Sequence, residues 1–413
     1  MVTQESFIPP PMPVLSRIGE LREKAASLPG GAVDLSVGNP IDPVPEIIIQ
    51  SLKDHDLARP YPDFGGRQVI MGEVISDWSK KQLNTAIDPS DYGICIGTKE
   101  FIAGAPKILS LRDPQRDTVL YPEIAYPSYA MGADLAGCRA VPVAMDTDWK
   151  IDVSSIDPED AKRALMLWIN TPGNPAGGID DLDAVVEWGR KHGVPVFSDE
   201  CYVEFTWDGP ARSVLQYGNE GVVAVHSLSK RSNLAGLRFG FYAGDPEIVS
   251  YCREIRRHQG LMVSGHAQVA GIAALQDQEH VEVQRARYKK RLERLIGILA
   301  HMGIEASMPG GSFYLWVLSA EKNSSKLAFL LAEKLGVISV PGETYGPRGA
   351  GYVRLAAIVS EENLHYWRSE QKTYTNNCVH SGGIRKVVSH YVRYSKSDSR
   401  TLGTERNFKP RRF

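Results

Sequence analysis

Within the run HSLSK, residues 226–230, Ser227 stands three residues before Lys230. Two unrelated chemistries use that spacing: a serine nucleophile assisted by a lysine, or a lysine that links covalently to a cofactor while the serine helps hold the cofactor's phosphate. The first needs an SxN or SDN element and a KTG-like strand, and neither occurs in the chain. SxxK also recurs as SAEK at 319–322, so the spacing alone discriminates little. A nicotinamide site is equally unsupported: GxGxxG should follow a strand, whereas GAG at 349–351 runs into YVR without the third glycine.

The cofactor-lysine chemistry, taken as a pyridoxal phosphate site, makes several demands at once. It needs a lysine, a carboxylate for the pyridine nitrogen, donors for the ring oxygen, an aromatic plate and a phosphate cup. Candidates recur at the ends of β-like runs: Asp199 ends VPVFSD, Asn174 follows ALMLWIN, Ser227 and Lys230 follow VVAVH, and Thr98 follows YGICIG. Ligands of open α/β sheets bind outside the carboxyl ends of strands, so these residues are expected to converge on one crevice. A free lysine is protonated at neutral pH; to act as an amine, Lys230 must be buried beside other cations that lower its pKa.

The elements that would position these residues alternate. Short apolar runs at 92–97, 118–122, 164–170, 194–199, 222–228 and 239–244 are separated by helix-length segments, which predicts an α/β domain whose largely parallel sheet is buried on both faces. Residues 279–303 read as a long helix with a charged face. After it, FYLWVL (313–318), KLAFLLAEKL (326–335), VISV (337–340) and YVRLAAI (352–358) suggest a smaller α+β domain. The expected division is an N-terminal arm over 1–45 packing with the small domain, a large domain over 46–290, a small domain over 291–370, and a basic, disordered tail over 371–413.

Bulk composition narrows the partners. The net charge of −2 conceals ten Lys/Arg against two Asp/Glu from Lys372 onward, so the body is acidic and nucleic acid is not expected as a partner. The five cysteines (Cys95, Cys138, Cys201, Cys252, Cys378) are scattered and never in CxxC spacing, which suggests neither a disulfide frame nor a zinc site and fits a reducing cytoplasm. No basic start precedes an apolar run, and no stretch approaches the roughly 18 apolar residues of a membrane span, so no membrane association is expected.

Four motifs, NTPGNPAG (170–177), SDECY (198–202), HSLSK with Arg238 eight residues after the lysine, and YVRLA (352–356), occur in order. Together they resemble the class I aminotransferases of pyridoxal phosphate fold type I, from about Leu35 to about Asn363. GTKEFIAGAP (97–106), PEIAYPSY (122–129), RHQGLMVSG (257–265) and PGETYGPRGAGYVRLA (341–356) look more narrowly like the actinobacterial succinyldiaminopimelate aminotransferases. The stretch after Trp367 has no counterpart in that pattern.

The resemblance implies a role for each residue. Lys230 would link to pyridoxal phosphate and move the proton at the substrate Cα, with Asp199 paired to the pyridine nitrogen and Tyr202 and Asn174 donating to the ring oxygen. Thr98, Lys99, Ser227, Ser229 and Arg238 would hold the phosphate, and Tyr126 would lie against the ring. Tyr61 would reach the phosphate of a neighbouring subunit, which implies a homodimer with composite sites. Arg354, Gly38 and Asn174 would bind the substrate, the arginine through a planar fork on the α-carboxylate. The implied reaction moves an amino group between glutamate or 2-oxoglutarate and N-succinyl-diaminopimelate, in lysine biosynthesis. Another class I aminotransferase, for aspartate, alanine or an aromatic amino acid, and a carbon–sulfur β-lyase stay open. Arg17, Arg67, Lys99 and Arg348 are the cations available for a distal carboxylate.

Overall fold

The computed structural model describes residues 18–53, 57, 59, 61–62, 66–207 and 209–367. Arg17, Cys378, the start of the N-terminal arm and the basic tail lie outside them. Contacts gather Met1–Leu364 into one unit and His365–Phe413 into another, and all the described strands belong to the first.

The strands in chain order are β1 (Val33–Asp34), β2 (Tyr92–Cys95), β3 (Thr118–Pro122), β4 (Arg139–Val143), β5 (Ala164–Asn170), β6 (Val196–Asp199), β7 (Val222–Ser227), β8 (Gly240–Gly244), β9 (Tyr314–Leu318), β10 (Val337–Ile338), β11 (Val340–Pro341) and β12 (Tyr352–Ala356). Seven form the central sheet in the order β2-β8-β7-β6-β5-β3-β4. All its pairings are parallel except those of β8, which runs antiparallel to β2 and β7. Every residue of β5, β6, β7 and β8 is buried, because helices cover both faces; unbroken apolar runs are the sequence mark of such strands. The architecture is α/β with a mixed, mostly parallel sheet, as expected.

The covering helices are punctuated by their own caps. Leu182–His192 begins with the Asp181 side chain accepting from Ala184 N and ends at Gly193 in the left-handed region, φ 60°. It buries Leu182, Val185, Val186 and Gly189, one stripe at helical spacing. Each such aliphatic side chain contributes about 1.5–3 kcal/mol when fully buried.

Two departures from the sequence reading have physical causes. RAVPV folds as edge strand β4, half-exposed, and its Pro142 is tolerated because an edge needs fewer backbone donors. VISV splits in two: β10 pairs in parallel with β1, whereas β11 joins β12 and β9 in an antiparallel three-stranded sheet. The partner strand of β10 comes from about 300 residues upstream, which local pattern could not reveal.

From β1 the chain continues past the carboxyl ends of the central strands and is fastened by Asp42. Its carboxylate accepts two hydrogen bonds of 2.7 Å from Arg291 and one of 2.8 Å from Gln284, both on the long helix Glu279–His301. Burial raises the Asp42 pKa, but these bonds and the Arg291 and Arg287 charges outweigh it and hold the carboxyl below its ordinary range. No described helix is long and apolar enough to cross a membrane.

Candidate active site

The carboxyl ends of β5, β6 and β7 deliver Asn170, Asp199 and Ser227 side by side. Asp199 is 5% exposed. Its Oδ2 accepts from Tyr129 Oη at 2.8 Å and its Oδ1 from Cys201 N at 3.2 Å, but among the described residues no cation pairs with it. Burial raises its pKa, and the donors from Cys201 and Tyr129 oppose the rise. Asn170 ties the loop NTPGNP to the same strand end: Nδ2 donates to Asp199 O at 2.8 Å and Oδ1 accepts from Asn174 N at 2.7 Å.

Lys230 sits on the one-turn helix Leu228–Arg231, whose first turn is capped by Ser227 Oγ accepting from Ser229 N at 3.1 Å. Its ammonium donates to the carbonyl of Gly38. Burial, with a smaller push from the Arg354 and Arg238 charges, lowers the Lys230 pKa to about 8, against an upward pull from Cys201. That is the shift an amine needs in order to lose its proton near neutrality.

Thr98 and Lys99 open the 15-residue helix Thr98–Arg112 at the end of β2. The residue before them, Gly97, has φ 73°, and a Cβ there would lie 2.1 Å from Arg238 Nη2, so only glycine lets the guanidinium reach this helix N-terminus. Arg238 is itself held in the left-handed region, φ 59°. A cation beside a helix N-terminus, with Ser227 and Ser229 on the adjoining turn, is a phosphate-binding arrangement. Thr98 Oγ1 lies 3.4 Å from Cys201 Sγ, and Lys99 Nζ lies 5.6 Å from the centre of the Tyr126 ring.

Arg354, on β12, is 6% exposed. Its Nη1 donates to Asn174 Oδ1 at 2.8 Å, its Nη2 to the Ser36 carbonyl, and its Nε has no hydrogen-bond partner among the described residues. Its guanidinium lies over the rings of Tyr314, at 4.3 Å, and Tyr345, at 5.1 Å. Among the described residues no carboxylate faces it. Tyr202 joins this side of the site to the other, its hydroxyl 3.0 Å from that of Tyr314.

The chain belongs to the class I and II aminotransferases. The family model for aminotransferase class I and II matches residues 31–369. The transaminase OxyQ of Streptomyces rimosus, named for 4-dedimethylamino-4-oxo-anhydrotetracycline, is 35% identical over 351 residues, 83% of this chain and 94% of its own. An LL-diaminopimelate aminotransferase of Aquifex aeolicus is 33% identical over 346 residues, 80% and 88% of the two chains. A solved structure from Thermus thermophilus, named "probable N-succinyldiaminopimelate aminotransferase", superimposes with a TM-score of 0.78 at 27% identity, covering 87% of this chain and all of that one.

Aminotransferases of this family depend on pyridoxal phosphate, and the residues present fit it. Among the described residues, a buried carboxylate without a cation, a buried guanidinium without an anion and a lysine of lowered pKa lie in one connected site. Isolated buried charges are costly, so Asp199 and Arg354 suit a cationic pyridine nitrogen and a substrate carboxylate respectively.

The structure brings together Lys230, Asp199, Tyr202, Asn174, Thr98, Lys99, Tyr126, Ser227, Ser229, Arg238, Gly38 and Arg354. Tyr61 stands apart, 68% exposed. Of the distal cations, Arg348 is already engaged: it donates to Glu123 Oε1 at 2.7 Å and to the carbonyls of Met145 and Asp146, and stacks on Trp149 at 4.8 Å. It is therefore no free reader of a distal carboxylate. Arg67 donates to the Pro62 carbonyl at 3.4 Å. The site residues that escaped the sequence reading include Tyr129, Cys201, Tyr314, Tyr345 and Asn170. Tyr129 lies in PEIAYPSY three residues beyond Tyr126, on the helix Ser128–Ala136.

Proposed function

We propose that this aminotransferase exchanges amino groups between glutamate and the keto form of N-succinyl-diaminopimelate, with Lys230 as the residue that moves the proton at the substrate Cα. The observation that carries the reading is Arg354, a buried guanidinium with no carboxylate facing it among the described residues, across a connected site from Asp199, a buried carboxylate with no cation. The cofactor's pyridine nitrogen would answer Asp199, and a substrate carboxylate would answer Arg354.

When bound, pyridoxal phosphate supplies an electron sink for the pair left behind as the Cα proton departs. The chain supplies the rest. Arg354, backed by Asn174 and the Gly38 segment, fixes the carboxylate and thereby orients the Cα–H bond. Lys230, with its pKa lowered to about 8, accepts that proton and returns it. Asp199 would keep the pyridine nitrogen protonated, Tyr202 and Asn174 would donate to the ring oxygen, and Tyr126 would pack against the ring. Thr98, Lys99, Ser227, Ser229 and Arg238 would hold the phosphate. Tyr61, exposed in the single chain, would reach a second copy's phosphate, and the active species would then be a homodimer.

Supporting the substrate are the narrow motif resemblance and the name of the Thermus thermophilus structure. The Aquifex aeolicus relative supports a second reading, diaminopimelate itself as the amino acid. Following the visible absorption of the loaded protein during reaction with glutamate and a panel of 2-oxo acids separates them. The first reading expects the fastest return with the keto form of the N-succinyl compound. Equal rates for it and for oxaloacetate overturn the substrate assignment, and undiminished turnover by Lys230→Ala overturns the mechanism.

A further inference from the structure

Tyr314 touches both halves of the site although no role has been given to it. It opens β9, directly opposite Ala356 of β12, and so projects on the same sheet face as Arg354 two residues earlier. Its ring lies beneath the Arg354 guanidinium, 4.3 Å away, and its hydroxyl is 3.0 Å from Tyr202 Oη. The other side of the hydroxyl is closed by Gly38, where an added Cβ would lie 2.0 Å from Tyr314 Oη. The residue is 2% exposed, so that hydroxyl is shielded from bulk water.

We propose that Tyr314 is a positioning residue whose hydroxyl donates to Tyr202 and couples occupation of Arg354 by a carboxylate to the donor strength of Tyr202. The proposal rests on the roles assigned above to Tyr202 and Arg354. A phenol has one proton; once Tyr202 commits its own to the cofactor's ring oxygen, its lone pairs can only accept, and Tyr314 is the neighbouring donor. Hydrogen bonds in series polarise one another, so the second phenol strengthens the first. The Arg354 charge over the Tyr314 ring makes that phenol a better donor, and a carboxylate on Arg354 cancels the effect.

The test is the pH titration of the bound cofactor's visible band in the parent protein, Tyr202→Phe, Tyr314→Phe and the double variant, with thermal melting to confirm that each is folded. A donor on the ring oxygen favours the unprotonated chromophore, so weakening it moves the midpoint up. Tyr314→Phe, which keeps the ring under Arg354, is expected to raise the midpoint by about 0.5–1 pH unit. In the Tyr202→Phe background the same change should move it far less. Glutarate, a carboxylate without an amino group, should shift the parent midpoint upward and shift that of Tyr314→Phe less. Equal Tyr314→Phe shifts in both backgrounds, no shift in either, or an identical glutarate response in parent and variant overturns the proposal. A Tyr202→Phe protein with the parent midpoint instead overturns the role given to Tyr202, a separate failure.

Discussion

Tyr129 donates its hydroxyl proton to Asp199 Oδ2 at 2.8 Å, from a helix that begins one residue after Pro127. Both residues are buried, and the Tyr129 ring stacks on Trp168 at 5.4 Å, so the phenol is held in place from two directions. Hydrogen bonds to charged groups are worth about 1.5–3 kcal/mol. Tyr129→Phe is therefore expected to weaken pyridoxal phosphate binding by roughly 10- to 100-fold, measured by absorbance titration of the cofactor-free protein.

Arg354→Lys keeps the charge but loses the planar fork and its bonds to Asn174 and Ser36. KM for glutamate should rise roughly 10- to 100-fold while kcat falls less, because the carboxylate is bound in ground and transition states alike. Steady-state kinetics reads the split. A fall in kcat with unchanged KM would contradict the assignment.

Lys230 gives a stability prediction with a definite sign. Its folded-state pKa, about 8, lies below its ordinary value of 10.5, so between those limits the unfolded chain binds more protons and stability rises with pH. Below pH 8 the half-buried lysine carries its full penalty, on the order of 3 kcal/mol. Lys230→Met in the cofactor-free protein should thus raise the melting temperature at pH 7, and the gain should fade between pH 8 and 10.5. Calorimetric melts across that range check it.

Gly97→Ala tests the phosphate cup. The substitution meets Arg238 Nη2 and also forces a Cβ into a backbone of φ 73°, ψ 146°, a region essentially confined to glycine, which costs about 1–3 kcal/mol whatever the arginine does. Loss of cofactor on gel filtration together with a lower melting temperature is expected; a variant that retains cofactor as the parent does would show that Arg238 need not approach this helix.

Much of this was legible because the central strands are unbroken apolar runs, and their last residues are polar ones that have no business in a core. Asp199 and Ser227 are conspicuous on those grounds alone. What could not be read were pairings across long separations. Tyr314 lies 112 residues from Tyr202, and nothing in YLWVL distinguishes its first residue from a packing aromatic. Arg348 shows the converse: as a residue type it suited a distal carboxylate, but Glu123, 225 residues away, already satisfies it. Local pattern finds strand ends; it does not find who sits opposite them.

The Gly38 and Ser36 carbonyls, held by Lys230 and Arg354 respectively, belong to the segment fastened at Asp42. Loading of Lys230 with the cofactor would release the Gly38 carbonyl, and a substrate carboxylate taking up Arg354 would release that of Ser36. Each affinity is set by an exchange, the new bonds less the old, and the freed carbonyls must find other donors before the gain is complete. Substitutions that loosen the Asp42 anchor act on that exchange from a distance, without touching either cation.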